Sequence, residues 1–304
     1  MDIKQISIHR YQLSPRLAPN RLSQNGGREG ALLRVEFPHA TGYADLFSWP
    51  ELGDPSLEES LESLKHHPLP QAAASLAWAY YEARAKERGV SLLSDVNVIS
   101  HKTMSELSEI EDCYTHAKIK ISSLASFQTA CEFMKGRKQI FRLDFNGLIK
   151  NAEEAEHFKS HILFDFIEDP FVPALMNDAA ALKRIKAPVA LDREESPEKI
   201  SLCDVWVVKP VYYSPEFLFE QMRLIKKRIV VTSNMDHPLG QLIALHVAQK
   251  CPQEIHGLLT QNTYRPHAHS HWVTQSGAIL QPSFQGLGWG LDSQLETLPW
   301  EKLC

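Results

Sequence analysis

The stretch FRLDFNG, residues 141–147, decides the fold of this chain. Its apolar residues are interrupted at alternate positions by Arg142, Asp144 and Asn146. Side chains two positions apart on a strand share a face, so one face of this predicted strand is polar and charged. If that face points to solvent, the row is unremarkable surface. If it points into the mouth of a barrel, Asp144 has a chemical role, and the rest of the chain decides between the two.

Strands alternate with helices on both sides of this stretch. The apolar runs are AKIKI, QIFRLD, ILFDFIE, PVALD, VWVVK, RIVVTS and IHGLL. Helix-like segments separate most of them: AEEAEHFKSH, ALMNDAAALKRIK, PEFLFEQMRLIKK and LGQLIALHVAQK. This alternation is typical of parallel βαβ units. Seven or eight such units predict an α/β fold with a closed (β/α) barrel rather than an open sheet.

The two ends of the chain have a different pattern. ISIHRYQL and GALLRVEF alternate in the manner of antiparallel strands, and LPQAAASLAWAYYEARAKERG has helical character up to Gly89. We therefore expect a small α+β domain over residues 1–90 and the barrel over 91–262. Residues 263–304 lose the alternation, and we expect them to pack back on the first domain.

Composition excludes several classes of protein. The 304 residues carry a formal net charge of −5 with no basic stripe, which gives no support to nucleic-acid binding. The five cysteines are odd in number and form no CxxC pair, as in a cytoplasmic protein with reduced thiols. The N-terminus lacks the apolar segment of a secretion signal, and no apolar run is long enough to predict a membrane span.

Charged residues fall at the carboxyl ends of the predicted strands at a regular interval. Lys120, Asp144, Glu168 and Asp192 are each separated by 24 residues, and Lys209 follows 17 residues later. In a barrel, the carboxyl ends of the strands line the active-site face. The sequence therefore predicts the order lysine, acid, acid, acid, lysine around one rim.

That order of charges has a chemical interpretation. Three converging carboxylates would repel one another unless a hard divalent cation bound them, and an oxygen-only ligand set favours Mg²⁺. A partly desolvated lysine beside a cation has a lowered pKa, as a general base requires. Such a site suits removal of a proton next to a carboxylate.

At these motifs the sequence resembles the enolase superfamily, specifically its muconate-lactonizing branch. KIK at 118–120 is similar to the family's second-strand motif, and RLDFNG, IEDP, ALD and VVKP are similar to those of the next four strands. GYADLFSWPELGDPSLEE resembles the family's capping-domain segment, and VVTSNMDHPLGQLIALHVA its seventh strand and following helix. The resemblance implies a modified (β/α)7β barrel with an α+β capping domain.

The resemblance also implies a role for each charged residue of the rim. Lys120 would remove the proton and return it as general acid, supported by Lys118, while Lys209 would stabilise the enediolate. The implied Mg²⁺ ligands, with Mn²⁺ able to substitute, are Asp144, Glu168 and Asp192, helped by Asn146. Further substrate contacts implied by the resemblance are Ser233, Asn234, Gly257 and Arg28, with the loop at 21–30 closing over the substrate.

The implied reaction acts on a small-molecule carboxylate, in a monomer or a homo-oligomer. It is syn dehydration of 2-succinyl-6-hydroxy-2,4-cyclohexadiene-1-carboxylate in menaquinone biosynthesis. N-succinylamino acid racemase, dipeptide epimerase and muconate cycloisomerase activities stay open, as does a barrel that serves only as a scaffold. The chain departs from the family pattern at Arg193, directly after Asp192, and at Ser233–Asp236, where a plain serine pair is expected.

Overall fold

An antiparallel sheet and a larger parallel sheet organise the chain in this computed structural model. The structure describes residues 1–16, 27–104, 106–108, 110–158, 162–176, 178–192, 196–260 and 263–304. Among these residues, no helix is both long and apolar enough to cross a membrane.

The first sheet is antiparallel and has four strands in the order β14-β1-β2-β3. They are β1 (Gln5–Leu13), β2 (Arg28–Glu36), β3 (Thr41–Phe47) and β14 (Glu301–Lys302). Helices α1 (Leu57–Ser63) and α2 (Pro70–Glu87) follow β3. Gly42 lets α2 approach β3 closely, because a Cβ at that position would lie 1.8 Å from the Ala79 carbonyl oxygen.

The second sheet is parallel, and its seven strands lie side by side in chain order. They are β5 (Lys102–Met104), β6 (His116–Lys120), β7 (Ile140–Asp144), β8 (Phe166–Glu168), β9 (Val189–Asp192), β10 (Val205–Val208) and β11 (Arg228–Val231). The helices between or after them are α3 (Leu124–Met134), α4 (Ala179–Leu182), α5 (Pro197–Leu202), α6 (Pro215–Leu224) and α7 (Pro238–Ala248). Fully buried apolar side chains from β8 to β11 form a separate cluster. The carboxyl ends of all seven strands therefore lie at one edge.

A short segment at His256–Gly257 contacts both edges of the parallel sheet. The His256 amide donates to the Ile99 carbonyl (2.9 Å), and the His101 amide donates to the His256 carbonyl (2.8 Å). On the other side, the Gly257 amide donates to the Val231 carbonyl (2.9 Å). One segment is therefore hydrogen bonded beside both the first and the last strand of the sheet.

Local sequence explains where the helices on the parallel sheet begin. Ser196 and Ser214 each accept a hydrogen bond from a backbone amide of the first turn and are followed by proline. His237 does the same before α7. An acceptor at the N-cap and proline at the first helical position both favour helix initiation there.

The remaining elements connect the two ends of the chain. β4 (Val98–Ile99), β12 (Val273–Ser276) and β13 (Ile279–Pro282) form a three-stranded antiparallel sheet, and α8 (Asp292–Leu295) follows. β14 pairs with β1 at Ser7↔Lys302. The division of the chain at residues 90 and 262 stays a prediction.

Some segments differ from their sequence patterns. AEEAEHFKSH forms only the 3₁₀ turn Glu154–Phe158 among its described residues, since Ala155 is the single buried side chain in that turn. ALMNDAAALKRIK contributes the four residues of α4. The first parallel strand, β5, is missing from the sequence prediction because three residues, KTM, are too few to show a strand pattern.

Candidate active site

The described residues at the carboxyl edge of the parallel sheet enclose a cavity. Trp49 and Leu52, from the segment after β3, form one wall, and the parallel sheet and its loops form the others. The lining residues from the sheet and its loops are His101, Thr103, Lys118, Lys120, Asp144, Asn146, Glu168, Asp192, Lys209, Thr232, Ser233, Asn234, Met235, Gly257 and Thr260. FRLDFNG therefore directs Asp144 and Asn146 inward.

One side of the cavity, the charged side, consists of Lys118, Lys120, Asp144, Glu168, Asp192 and Lys209. Lys118 Nζ lies 3.0 Å from Glu168 Oε1 and 3.4 Å from Asp144 Oδ2. Lys209 forms an ion pair with Asp192, and the Asn146 amide donates to Asp144. Strand register sets this arrangement, since Lys120 pairs with Asp144 and Asp144 with Glu168 on neighbouring strands.

The electrostatics of the charged side follow from burial and proximity. Burial raises the pKa of Glu168 to about 7, with Lys118 opposing and Asp144 and Asp192 adding to the rise. Burial alone would lower the pKa of Lys118, but the neighbouring carboxylates outweigh it and raise the value. Burial lowers the pKa of Lys120, the direction that a general base requires.

The donor set of the charged side fits a hard divalent cation in its chemistry. Three carboxylates line one cavity, and Asp144 and Asp192 both raise the pKa of Glu168, a repulsion that a bound cation would relieve. In the part of the chain that the structure describes, no three aspartate, glutamate, histidine or cysteine side chains are close enough together to bind one metal ion as they stand. The positive charge beside these carboxylates comes from Lys118, which pairs with Glu168, and from Lys209, which pairs with Asp192.

Backbone conformation at the strand ends is unusual. Asn146, Asp169 and Met235 have φ values of 47°, 43° and 53°. Asparagine and aspartate adopt this left-handed region more readily than other side chains, whereas for methionine it costs about 1 kcal/mol. Asp169 Oδ1 accepts a hydrogen bond from the Asp192 amide (3.1 Å), which joins the ends of two neighbouring strands. Of the three, Met235 is therefore the residue held in a conformation that its side-chain type disfavours.

The other side, the neutral side, consists of His101, Thr232, Ser233, Asn234 and Gly257. Ser233 Oγ donates to Thr260 Oγ1 (3.1 Å). His101 Nε2, Thr232 Oγ1 and Asn234 Nδ2 are buried and have no hydrogen-bond partner among the described residues. This side therefore presents buried polar groups without a net charge.

The antiparallel sheet and the segment after it contact the neutral side directly. The Trp49 indole donates to the Asn234 carbonyl oxygen (2.8 Å). The His237 amide, at the start of α7, donates to Asp45 Oδ2 (3.1 Å) on β3. These bonds fix the position of residues 233–237 relative to the antiparallel sheet.

The structure brings together nearly all of the residues that the sequence singled out. Arg28 is not among the described lining residues, because its guanidinium pairs with Glu51 and lies 4.2 Å from the centroid of the Trp49 ring. Arg28–Gly30 belong to β2, while residues 21–26 of the expected closing loop lie outside the described residues, as does Arg193.

Sequence analysis missed several lining residues. They are His101, Thr103, Trp49, Leu52, Thr232, Met235 and Thr260. The available signal was weak: Trp49 and Leu52 fall within the stretch that resembles a capping-domain segment, and Thr232 directly precedes Ser233. His101 and Thr103 belong to the strand region that the pattern did not reveal.

Comparison with known proteins supports the resemblance. Residues 6–85 match the family model described as O-succinylbenzoate synthase, N-terminal domain. The curated o-succinylbenzoate synthase of Bdellovibrio bacteriovorus is 28% identical over an alignment of 330 positions, gaps included, that covers 98% of each chain. The resemblance inferred from the motifs is confirmed.

Solved structures of epimerases and of a mandelate racemase/muconate lactonizing enzyme share the fold. A substrate-liganded L-Ala-D/L-Glu epimerase from Bacillus subtilis has a TM-score of 0.71 at 17% identity, covering 95% of this chain and 98% of its own. A dipeptide epimerase from Methylococcus capsulatus, complexed with Mg ion, has 0.73 at 14%, covering 95% and 99%. A mandelate racemase/muconate lactonizing enzyme from Roseiflexus sp. has 0.74 at 13%, covering 95% and 98%. The α/β architecture with a separate antiparallel sheet is confirmed.

Proposed function

We propose that this chain, an enzyme similar along its whole length to o-succinylbenzoate synthase, is itself such a lyase. It would dehydrate 2-succinyl-6-hydroxy-2,4-cyclohexadiene-1-carboxylate to o-succinylbenzoate, a step of menaquinone biosynthesis. The observation that carries the proposal is that two lysines and three carboxylates from five parallel strands line one cavity in the required order. The full-length similarity to a curated synthase selects this reaction among those of the superfamily.

The proposed chemistry is a proton transfer followed by loss of water. Lys120 Nζ, neutral at the start, takes the proton from the ring carbon that bears the carboxylate. The electron pair is held first on the carboxylate as an enediolate and then forms the double bond between ring carbons 1 and 6 as the C–O bond to the 6-hydroxyl breaks. The Lys120 ammonium gives its proton to the departing oxygen, which leaves as water. Because one lysine serves both steps, proton and hydroxyl leave from the same face.

The other charged residues support that transfer. Lys209 places a positive charge near the developing enediolate, where a preorganised charge lowers the barrier. Lys118, paired with Glu168 and Asp144, disfavours protonation of Lys120 through like-charge repulsion. Asp144, Glu168 and Asp192 would hold Mg²⁺, which when bound supplies charge that makes the carbon acid easier to ionise.

The finer architecture is part of the same proposal. The parallel sheet would be a closed (β/α)7β barrel, with His256–Gly257 as its eighth strand. The hydrogen bonds from this segment to residues beside β5 and β11 support that assignment. The antiparallel sheet with α1 and α2 would be the capping domain.

The test is steady-state turnover of the cyclohexadiene carboxylate by the wild-type chain, with Mg²⁺ and with EDTA, and by Lys120→Ala. We expect metal-dependent formation of o-succinylbenzoate and a loss of about 10²- to 10⁴-fold in the variant, the usual contribution of a general base. Lys226→Ala, at an exposed lysine before β11, is the matched control. No turnover by the wild-type chain, under conditions where a known synthase works, would refute the assignment.

A second candidate is racemisation or epimerisation of an N-succinylamino acid or a dipeptide. It is favoured by one observation, that Lys120 at the end of β6 and Lys209 directly after β10 line the same cavity, so each face of a substrate could meet a base. Exchange of the α-proton in deuterated water would reveal it. Exchange without turnover of the cyclohexadiene substrate would make it the main activity.

A further inference from the structure

His101 is a buried cavity residue to which the chemistry above gives no role. It lies directly before β5, its side chain is only 1% exposed, and it lines the cavity. The His101 amide donates to the His256 carbonyl (2.8 Å), and the next residue, Gly257, lines the same cavity. The ring is therefore held at the floor of the neutral side.

Arg142 fixes the tautomer of this histidine. The Arg142 Nη1 group lies 2.9 Å from His101 Nδ1. A guanidinium can only donate, so Nδ1 is the acceptor and carries no proton. The ring is therefore neutral and its proton resides on Nε2. Burial, together with the charge of Arg142, also lowers the pKa of His101 well below its usual value.

Arg142 is itself held in one position. Its Nε donates to Asp165 Oδ2 (2.7 Å) and its Nη1 to the Ile255 carbonyl (2.7 Å). Its guanidinium carbon lies 4.7 Å from the centroid of the Phe166 ring. The side chain is fully buried, so the tautomer of His101 is set by a rigid partner below the cavity floor.

The Nε2 proton has no acceptor in the part of the chain that the structure describes. A buried donor without a partner costs about 1–3 kcal/mol, so it is seldom retained without a reason. Gly257 keeps the space in front of the ring open, because a Cβ at that position would lie 2.7 Å from His101 Cε1 and 3.0 Å from Nε2. The donor and the space beside it thus occur together.

We propose that His101 binds the substrate, with its Nε2–H donating a hydrogen bond to an oxygen of the succinyl arm. This inference rests on the proposed function, which supplies a substrate with such an arm. The charged side attracts the ring carboxylate, whereas His101 borders Gly257 on the neutral side. An uncharged donor suits either the ketone oxygen or the terminal carboxylate of the arm, and Arg142 acts as a positioning residue.

The experiment measures binding of three ligands by isothermal titration calorimetry in saturating Mg²⁺. The ligands are o-succinylbenzoate, 2-butyrylbenzoate, which keeps only the ketone of the arm, and benzoate, which lacks the arm. His101→Asn keeps an oxygen near Nδ1 for Arg142 but places nothing at Nε2. We expect it to bind o-succinylbenzoate about 5- to 100-fold more weakly than wild type does, with benzoate affinity unchanged.

Rescue and control variants separate binding from structure. His101→Gln, whose amide reaches as far as Nε2, is expected to recover most of the affinity. His246→Asn removes another buried histidine, one bonded to the Leu92 carbonyl and absent from the described cavity lining, and should leave all three affinities unchanged. Weaker binding of 2-butyrylbenzoate to His101→Asn identifies the ketone as the acceptor, and an unchanged value identifies the carboxylate.

Two outcomes would overturn the inference. If wild type turns over substrate and binds o-succinylbenzoate but His101→Asn binds all three ligands as wild type does, His101 does not bind the arm. An equal loss for benzoate would assign His101 a structural role only. If wild type neither turns over the cyclohexadiene substrate nor binds o-succinylbenzoate, the proposed function fails and this inference fails with it.

Discussion

The charged side and the neutral side of the cavity differ in whether their buried polar groups have partners. On the charged side, Lys118 contacts both Asp144 and Glu168, and Lys209 pairs with Asp192, so each sign of charge has a close partner of the other. On the neutral side, His101 Nε2 and Asn234 Nδ2 are buried without partners among the described residues.

The difference assigns different tasks to the two sides. Ion pairs can be rearranged when a cation or an anionic substrate arrives, because the lysines and carboxylates can change partners. A neutral donor without a partner needs no rearrangement, since it already points where an acceptor is required. We therefore expect substitutions on the charged side to affect the chemical step and those on the neutral side to affect ligand binding.

After the loss of Lys120, the largest expected effect is that of Lys209→Met. Removal of one preorganised positive group next to developing charge lowers kcat by about 10²- to 10³-fold, while the methionine keeps the length and apolar stem of the lysine. Steady-state kinetics at saturating Mg²⁺ measure kcat and KM separately, with Lys226→Met as the control. A change in KM alone would contradict the expectation that the charged side acts on the chemical step and the neutral side on ligand binding.

Gly257→Ala should have an intermediate effect on the neutral side. The added Cβ would lie 2.7 Å from both His101 Cε1 and Thr232 Cγ2, and overpacking of this kind costs about 1–3 kcal/mol. If that cost falls on the bound state, the Kd of o-succinylbenzoate rises about tenfold or more while kcat falls less. Calorimetric titration and thermal unfolding, measured together, separate lost binding from lost stability; unchanged affinity would contradict the expectation.

A smaller change is expected for Thr232→Val. The Thr232 hydroxyl is buried and, within the described ranges, has no partner, so its removal should raise the free energy of unfolding by up to about 1 kcal/mol. If the hydroxyl serves a ligand, the affinity for o-succinylbenzoate falls several-fold in the same variant. Greater stability with undiminished affinity would show that this hydroxyl does not belong to the binding surface.

The smallest effect on activity is expected at Glu82, a buried carboxylate outside the cavity. It accepts hydrogen bonds from the Tyr43 and Trp289 amides and pairs with Lys86, yet burial raises its pKa from 4.5 to about 7. The folded state therefore holds this proton more tightly than the unfolded chain does. Its contribution to stability is full below about pH 4.5 and is lost as the pH rises through about 7.

Chemical denaturation from pH 4.5 to 8 tests that expectation. Glu82 should contribute a slope of up to about 1.4 kcal/mol per pH unit between the two pKa values, and Glu82→Gln should remove it without changing kcat. Glu87→Gln, at the exposed end of the same helix, is the control. An identical slope in Glu82→Gln and wild type would mean that Glu82 does not titrate in this range.

The charged side could be predicted from sequence because charge is rarely buried without a function. Five charged residues at the ends of successive strands, such as Asp144 after FRL, form a pattern that surface residues would not keep. The order of the strands followed from the same alternation. The lengths of the short helices could not be predicted: the helix-like pattern ALMNDAAALKRIK is 13 residues long, but α4 has only four residues.

The neutral side could not be predicted in the same way. Histidine, threonine and asparagine are common in loops, and nothing in HKTM indicates that His101 lies beneath a cavity. Its role depends on Arg142, 41 residues away, and on the missing side chain of Gly257. Such a relation exists only after the strands have been brought together.

The hydrogen bond from the Trp49 indole to the Asn234 carbonyl also has a consequence for the design of chimeras and variant libraries. Trp49 follows β3 of the antiparallel sheet, whereas Asn234 follows β11 of the parallel sheet. One hydrogen bond therefore joins the wall formed by Trp49 to the neutral side of the cavity. Because the acceptor is a main-chain oxygen, a chimera that takes its first ninety residues from a relative keeps this bond only if those residues place a donor such as an indole at position 49. Residue 49 is therefore the position to hold fixed in a chimera, whereas a library that varies residue 234 leaves the acceptor of this bond in place.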